Sequence, residues 1–209
     1  MSRLRTILFF LIFSLTAYGQ PVRIDSLKSL LGTDEDANVA WNIEHQLSIA
    51  YAESHQFKPA YHLSLKAYAT AQLTKDSAKM YNSLRVNAFC LGKMDRVEEQ
   101  VILSKKVIAG LMRFGETKFA LYTISSLGTA YMKQADYAEA LRWYLNGLTI
   151  ARRNRITFSD FYHNIGLIYY KLKAFDKAAM FTTMAVSIAK DEHDPSGILL
   201  GYSNLALIH

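Results

Sequence analysis

Residues 127–144 read LGTAYMKQADYAEALRWY, and a related stretch, IGLIYYKLKAFDKAAMFTTMA, follows at residues 165–185. In both stretches a large apolar residue precedes a glycine, an aromatic residue follows three places later, and alanines recur about a dozen residues on. The five copies of this arrangement, three of them weaker, centre on Ser48, Arg85, Gly128, Gly166 and Ala206. A pattern that returns at a period of this size indicates stacked supersecondary units.

The spacing of apolar residues inside the copies is helical. Leu121, Ile124, Leu127 and Tyr131 recur at intervals of three and four, which places them on one face of a helix. Alternation typical of strands is absent over any useful length. The sequence therefore predicts an all-α protein of antiparallel helix pairs, with helices over residues 38–53, 57–73, 77–91, 94–112, 117–133, 137–153, 157–172 and 175–190, and a last one from Pro195.

Two aspartates indicate where helices begin. Asp136 precedes Tyr137, and its carboxylate can accept hydrogen bonds from free amides of the first turn. Asp194 precedes Pro195, which combines an N-cap acceptor with a proline at the first helical position.

The first residues are predicted to be a segment separate from the fold. Arg3 and Arg5 precede an apolar run over residues 6–15, and Ala17 and Gly19 hold the −3 and −1 places of a cleavage site before residue 20. This arrangement predicts a secretory signal peptide over 1–19 and a location in the periplasm or cell envelope. An uncleaved membrane anchor is the alternative interpretation.

The rest of the chain is predicted to be one array behind a short cap. Ile24, Leu27, Leu30 and Leu31 have helical spacing, so residues 20–36 are expected to hold a short capping helix. The array is predicted over 37–209, with repeats at 37–75, 76–115, 116–155 and 156–192 and a partial repeat at 193–209.

Composition excludes several classes of function. Lysine and arginine number 24 against 18 acidic residues, and loss of Arg3 and Arg5 would leave 22 against 18, or +4. A basic stripe of the kind that binds nucleic acid is missing, so no nucleic-acid partner is expected. The one cysteine, Cys90, lies among apolar neighbours and is predicted to be a buried hydrophobe.

The repeated positions resemble those of the tetratricopeptide repeat (TPR) family, whose unit is a pair of helices of about 34 residues. Copy spacings of 37, 43, 38 and 40 residues are longer than that unit. The resemblance implies a right-handed superhelical solenoid in which small residues let paired helices approach closely. These repeat-packing residues are Ala60, Gly128, Ala140, Gly166 and Ala178, whereas Arg85 and Val97 depart from the expected small residues. Another helical-pair solenoid and an irregular bundle are the alternative folds.

The resemblance also implies a binding surface on the first helix of each pair. The residues expected to face a peptide or protein in this groove are His45, Asn82, Phe89, Tyr122, Ser125, Thr129, His163 and Tyr170. Packing against the neighbouring helix is the competing interpretation for each of them. Aromatic side chains mixed with hydrogen-bonding groups suit an extended or helical peptide.

No residue pattern in the sequence points to catalysis. The six histidines form no metal-binding pair of known spacing, and there is no nucleophile elbow or phosphate-binding loop. The sequence therefore predicts no enzyme activity, no metal and no cofactor.

The repeats are similar to the extended repeats of exported Bacteroidetes-type proteins, in which such an array often forms the sensory front half of a signalling protein. The expected function is a non-catalytic protein-binding or peptide-binding scaffold. The alternative is the N-terminal sensory region of a membrane signalling protein, a histidine kinase or transcriptional regulator with its output domain outside this chain.

A membrane contact is expected only through such a further C-terminal segment. The apolar face near Leu199, Tyr202 and Ala206 also makes self-association an expectation.

Overall fold

The computed structural model describes residues 20–32 and 36–208, and the predicted signal peptide lies outside these residues. The described part contains ten α-helices and no β-strand, which confirms the all-helical prediction. The helices are α1 (Gln20–Ser29), α2 (Ala37–Glu53), α3 (Phe57–Leu73), α4 (Ser77–Lys93), α5 (Val97–Arg113), α6 (Thr117–Lys133), α7 (Tyr137–Arg153), α8 (Ser159–Lys171), α9 (Phe175–Asp191) and α10 (Pro195–Ile208).

The helices follow one another with a period of twenty residues. Helices α2 to α7 are each 17 residues long and are joined by loops of three residues. Two helices and two loops therefore make a repeat of about forty residues, longer than the unit of about 34 residues in the family that the sequence resembles. The connection from α7 to α8 is two residues longer, over residues 154–158, but α8 is four residues shorter than the other helices of the series, so α9 starts two residues early in this count.

The three-residue loops share one backbone geometry. Their middle residue has a positive φ angle, for example 59° at His55 and 58° at Ala135. The amide of the next residue donates to the carbonyl five residues back, as from Asp136 to Tyr131 at 2.9 Å. This is the Schellman geometry, which satisfies the last carbonyls of one helix while the chain turns into the next. Only Gly115 supplies a glycine at this position.

Both predicted N-caps are confirmed. The Oδ1 atom of Asp136 accepts from the backbone amide of Glu139 at 3.1 Å, and the Oδ1 atom of Asp194 accepts from that of Ser196 at 3.1 Å. Asp36 and Asp76 cap α2 and α4 in the same way. Asp34 and Glu35, which precede Asp36, lie outside the described residues.

The chain forms two compact units, Met1–Arg96 and Val97–His209. In the first unit Ile24 and Leu27 of α1 are buried against Leu47 and Ala50 of α2, so the predicted capping helix packs on the first repeat. In the second unit a larger apolar core runs through α6, α7 and α8 and includes Leu127, Tyr144, Phe161 and Ile165.

The second helix of each pair buries the same four places, the fourth, eighth, eleventh and fifteenth. In α3 these places hold Ala60, Ser64, Ala67 and Ala71, all fully buried. In α7 they hold Ala140, Tyr144, Gly147 and Ala151, and in α9 they hold Ala178, Thr182, Ala185 and Ala189. Twelve of the sixteen residues at these places in α3, α5, α7 and α9 are alanine, glycine, serine or threonine. The four larger residues are Tyr144 in α7 and Gln100, Val107 and Leu111 in α5.

The first helix contributes a small residue that faces the eighth place of the second. A Cβ atom added to Gly128 would lie 2.5 Å from the Cε1 and Cζ atoms of Tyr144. One added to Gly166 would lie 2.5 Å from the Oγ1 atom of Thr182 and 3.3 Å from the carbonyl oxygen of Ala178. Glycine at the twelfth place of α6, and at the eighth place of the shorter α8, therefore makes room for a larger partner.

The structure corrects the register that the sequence suggested for the second repeat. The twelfth residue of α4 is Ala88, which is buried, and not Arg85. The fourth residue of α5 is Gln100, and not Val97. Gln100 is long and polar, but its amide donates to the carbonyl oxygen and the Oγ atom of Ser126 in α6, at 3.2 and 2.8 Å. These hydrogen bonds allow a glutamine where the other repeats have alanine.

The contact between Gly128 and Tyr144 leads to a first prediction. We expect Gly128→Ala to lower the free energy of unfolding of the second unit by about 1–3 kcal/mol, because the methyl group overlaps the ring. Urea unfolding followed by Trp143 fluorescence, in a Trp41→Phe background, measures the change.

The matched control is the same substitution in a Tyr144→Ser background. Serine holds this place in α3 and α5, so the added methyl group should then cost much less. Equal losses in the two backgrounds would show that the glycine and the ring are not coupled.

Candidate functional site

Tyr122 is the most accessible aromatic residue among the predicted groove residues of the second unit. Its side chain is 44% exposed at the start of α6. Its ring centroid lies 5.1 Å from that of Phe158 in an edge-to-face contact, and Phe158 is itself buried. The core therefore holds one edge of Tyr122 in place while the rest of the ring faces solvent.

Thr129 lies about two helical turns after Tyr122 on α6 and is also exposed. Its Oγ1 atom is 3.0 Å from the carbonyl oxygen of Ser125 and 3.0 Å from the hydroxyl oxygen of Tyr144. The Thr129 hydroxyl can donate to the carbonyl while it accepts from Tyr144. Burial raises the pKa of Tyr144 to about 12, so the phenol stays protonated and able to donate at neutral pH. Ser125 is half-buried.

Tyr170 lies at the other end of the same unit, on α8. It is half-buried, and its ring centroid is 6.0 Å from that of Phe175 at the start of α9. Tyr170 and Leu167 also line a shallow cleft together with Asn204 and Leu207 of α10.

His163 is enclosed, although the sequence suggested that it faces the groove. Only 4% of the residue is exposed, and a Cβ atom added to Gly201 of α10 would lie 3.1 Å from its Cε1 atom. In the described part of the chain, neither ring nitrogen makes a hydrogen bond to another side chain. Burial lowers the pKa of His163, while the nearby carboxylates of Asp160 and Asp194 act in the opposite direction.

His45 in the first unit is enclosed in a similar way. It is 7% exposed, and its ring stacks on Trp41 with centroids 4.8 Å apart and planes 12° apart. Burial, assisted by the positive charge of Arg85, lowers the pKa of His45 to about 4. The imidazole is therefore neutral at physiological pH.

Two other predicted groove residues lie on α4. Asn82 is 7% exposed, and its Oδ1 atom is buried without a hydrogen-bond partner in the described part of the chain. Phe89 is 36% exposed, in an edge-to-face contact with Phe57 at 6.3 Å. The Nζ atom of Lys93 lies 5.3 Å from the Phe89 ring centroid.

The predicted groove residues thus divide by accessibility. Phe89, Tyr122 and Thr129 are exposed, Ser125 and Tyr170 are half-buried, and His45, Asn82 and His163 are interior. A direct ligand contact would need the last three to be uncovered. The assignment of all eight residues to a ligand-binding surface remains a prediction.

Trp41 is a residue that the sequence reasoning missed. Its Nε1 atom donates to the Oγ atom of Ser83 at 3.0 Å, and the Nζ atom of Lys79 lies 5.2 Å from its ring centroid. The same lysine donates to the Oδ1 atom of Asn38 at 2.6 Å. The sequence does carry a signal for this contact: Trp41 stands four residues before His45 on the same predicted helix, and side chains at this spacing are neighbours.

Reactive groups are sparse in the residues that the structure describes. Within 20–32 and 36–208 no three histidine, cysteine or acidic residues are placed to hold a metal ion together. Cys90 is fully buried, as predicted, and burial raises the pKa of its thiol to about 12. None of the described helices is long and apolar enough to cross a membrane.

Comparison with known proteins supports the repeat architecture. Residues 159–192, which include α8 and α9, match the tetratricopeptide repeat family. No curated protein sequence matches the chain significantly. The fold is a TPR-like helical repeat, and the segment over 159–192 matches that family in sequence.

Three solved structures illustrate the likeness, at sequence identities that show the fold alone. A signal transduction ATPase with a tetratricopeptide repeat sensor, from Pyrococcus horikoshii, has a TM-score of 0.74 at 17% identity, over 92% of this chain and 31% of that one. Nearly identical TPR-like repeats assigned to a kinesin light chain from Podospora anserina give 0.69 at 18%, over 92% and 97%. NprR, in complex with its cognate peptide NprX, gives 0.64 at 17%, over 80% and 48%. The chain thus spans under a third of the ATPase and about half of NprR.

The enclosed histidine of the first unit leads to a second prediction. A pKa lowered from 6.5 to about 4 means that the unfolded chain binds a proton that the folded unit excludes. The free energy of unfolding of the first unit therefore has its full value above about pH 7. It falls by about 3 kcal/mol in total as the pH drops from 6.5 towards 4. Urea unfolding at several pH values, followed by Trp41 fluorescence in a Trp143→Phe background, measures this loss.

Two variants test the assignment to His45. His45→Gln should flatten the pH dependence between 6.5 and 4, whereas His62→Gln, at an exposed position on α3, should leave it unchanged. An unaltered pH profile in His45→Gln would show that other groups cause the acid sensitivity.

Proposed function

We propose that this protein is a non-catalytic scaffold that binds a protein or peptide on the exposed side of its first helices. The observation that carries the proposal is the aromatic and polar surface on α6 and α8, where Tyr122 and Thr129 are exposed and Tyr170 is half-buried. Exposed aromatic rings held on rigid helices supply contact area at low entropic cost.

The neighbouring structures support a peptide as one class of ligand. NprR, whose fold is similar, is described in complex with its cognate peptide. In this chain Tyr122 is anchored by Phe158, and the hydroxyl of Thr129 is held by Ser125 and Tyr144. A surface whose side chains are already ordered loses less entropy when it binds a ligand.

A peptide selection provides the third prediction. Peptides selected from a random display library on the full chain should bind a Tyr122→Ser variant at least about tenfold more weakly, because an aromatic anchor is lost. Fluorescence anisotropy with the selected peptides measures the change.

Leu145→Ser is the matched control. Leu145 is also 44% exposed but lies on a second helix, α7. The proposed surface would be wrong if Leu145→Ser weakened binding as much as Tyr122→Ser, or if neither variant changed it.

A sensory region of a larger membrane signalling protein is the second candidate function. It is favoured by the likeness to the ATPase whose tetratricopeptide repeats are described as a sensor. In that case the same surface on α6 and α8 would bind the signal, and the response would come from a histidine kinase or transcriptional regulator domain elsewhere in the protein. The two candidates share one binding surface and differ in what the binding controls.

We also propose that the protein is exported to the periplasm or cell envelope. The support is sequence alone: Arg3 and Arg5, the apolar run at 6–15, and the small residues Ala17 and Gly19.

Expression in a Gram-negative host gives the fourth prediction. The intact mass of the product should correspond to a chain that starts at Gln20, in the periplasmic fraction, because signal peptidase requires small side chains at Ala17 and Gly19. A Gly19→Arg variant should keep its full mass. A wild-type product of full mass in the cytoplasmic fraction would contradict the proposal.

A further inference from the structure

Five positively charged residues lie at one edge of the second unit, in and beside two helix connections. Arg113 is the last residue of α5, and Lys118 is the second residue of α6. Arg152 and Arg153 end α7, and Arg155 lies in the connection from α7 to α8. All five are exposed. We call these five residues the basic edge.

The apolar core brings both connections of the basic edge next to Tyr122. The ring of Phe158, in the α7–α8 connection, contacts the ring of Tyr122 with 5.1 Å between centroids. Arg155 precedes Phe158 by three residues, so their Cα atoms are at most about 11 Å apart. Lys118 precedes Tyr122 by four residues on α6, a spacing at which side chains are neighbours. Tyr122 therefore has positive charge near it from both connections.

The charge of the basic edge is not neutralised within the protein. In the part of the chain that the structure describes, none of the five residues forms an ion pair. The stretches that carry the edge, 113–118 and 152–160, contain two acidic residues, Glu116 and Asp160. Five positive charges therefore stand against two negative ones.

Stabilisation of the end of α7 does not account for this charge. The partial negative charge at the C-terminus of a helix is about half an elementary charge, whereas Arg152, Arg153 and Arg155 supply three positive charges. The carbonyl oxygen of Ile150 accepts from the amide nitrogen and the Nδ2 atom of Asn154, at 3.1 and 2.8 Å. The carbonyl oxygen of Arg152 accepts from the amide of Arg155 at 3.2 Å. The guanidinium groups are therefore not needed to satisfy these carbonyls.

We propose that the ligand of the surface at Tyr122 is an acidic peptide segment, and that its carboxylates pair with the basic edge. This inference rests on the proposed function and specifies the chemistry of the ligand. A guanidinium group presents its N–H donors in a planar fork that matches a carboxylate with two parallel hydrogen bonds. The exposed ring of Tyr122 beside these groups favours a segment that carries an apolar side chain among its acidic ones.

The exposure of the basic edge determines how it contributes to binding. Attraction between exposed charges is screened over about 10 Å in 0.1 M salt, which is similar to the distance between Arg155 and Phe158 along the chain. Carboxylates that flank a side chain bound at Tyr122 would therefore be attracted by both connections. Attraction of this kind raises the association rate and weakens as the salt concentration rises.

Two matched pairs of charge reversals separate the basic edge from net charge alone. Arg153→Glu with Arg155→Glu changes the last residue of α7 and the left-handed residue after it, with φ 55°. Lys171→Glu with Lys173→Glu changes the last residue of α8 and the left-handed residue after it, with φ 59°. All four residues are exposed, and the second pair lies at the end of α8 away from Phe158. Circular dichroism of both double variants checks that they are folded.

The fifth prediction is a change in the composition of selected peptides. A random display library is selected in parallel on the wild-type full chain and on the two double variants. Peptides selected by the wild-type protein and by the lysine double variant should be enriched in aspartate and glutamate over the unselected library. The arginine double variant should select no such enrichment, because its introduced carboxylates repel acidic peptides.

Affinities of the selected peptides give the size of the effect. For a peptide selected on the wild-type protein, replacement of its acidic residues by the corresponding amides should weaken binding at least about tenfold. An increase in salt from about 0.05 to 0.5 M should weaken binding of the acidic peptide but hardly change that of its amide version. Fluorescence anisotropy measures both changes.

Four results would overturn the inference. They are the absence of acidic enrichment on the wild-type protein, equal enrichment on the arginine double variant, loss of enrichment on both double variants, and binding to an anionic membrane in place of a peptide. The last would appear as retention on phosphatidylcholine vesicles only when they contain phosphatidylglycerol. This retention would be lost in the arginine double variant and would not be displaced by a selected peptide.

The proposed function can fail separately from this inference. Selected peptides that bind the Tyr122→Ser variant as tightly as the wild-type protein would show that the surface at Tyr122 is wrong. Selected peptides that depend on Tyr122 but are not enriched in acidic residues would leave the surface in place and refute only the acidic chemistry.

Discussion

The close approach of paired helices is the constraint on which the rest of the structure depends. Each second helix buries its fourth, eighth, eleventh and fifteenth places, and alanine, serine or glycine fills most of them. Where a large side chain enters this contact, the partner is reduced to match it, as Gly128 is opposite Tyr144. Because packing at native density leaves little free volume, a change on one side of the contact requires a change on the other. This reciprocity fixes how closely α6 and α8, which carry the candidate binding surface, pack against α7 and α9.

The loops add a second constraint, on length and direction. A loop of three residues with a left-handed middle residue leaves one helix by Schellman hydrogen bonds and supplies the N-cap of the next. This turn keeps helices α2 to α7 in phase, and the longer connection at residues 154–158 begins with the same geometry, at Arg155, before it adds two residues. Most of the middle residues, such as Lys75 and Ala135, are not glycine. The helix contacts therefore hold these residues in a conformation that costs roughly 1–2 kcal/mol for an L-residue.

Much of the fold could be predicted from the sequence because apolar spacing and N-capping aspartates are local signals. The helix boundaries agree with the periodicity to within about three residues. The sequence pattern misaligns the second repeat because Leu84 precedes Arg85 as Leu127 precedes Gly128, whereas the twenty-residue period of the helices places Ala88 at this position. Gln100 replaces a small residue there by means of its hydrogen bonds to Ser126, and a bond between helices has no signature in the spacing of one helix. The left-handed loop residues share no side-chain chemistry and could not be found in advance.

The candidate site was harder to predict because a helical face indicates direction and not accessibility. His45 and Ser125 are both ninth residues of first helices, yet Trp41 stacks on the histidine whereas the serine is half-buried. His163 holds the equivalent place in α8 when residues are counted from position 155, twenty residues before the start of α9. There Gly201 brings α10 close to the His163 ring. The same place in the repeat is therefore open or closed according to its neighbours. The proposed recognition would therefore depend on which residues the adjacent helix leaves uncovered, and Tyr122 is such a residue because Phe158 supports only one edge of its ring.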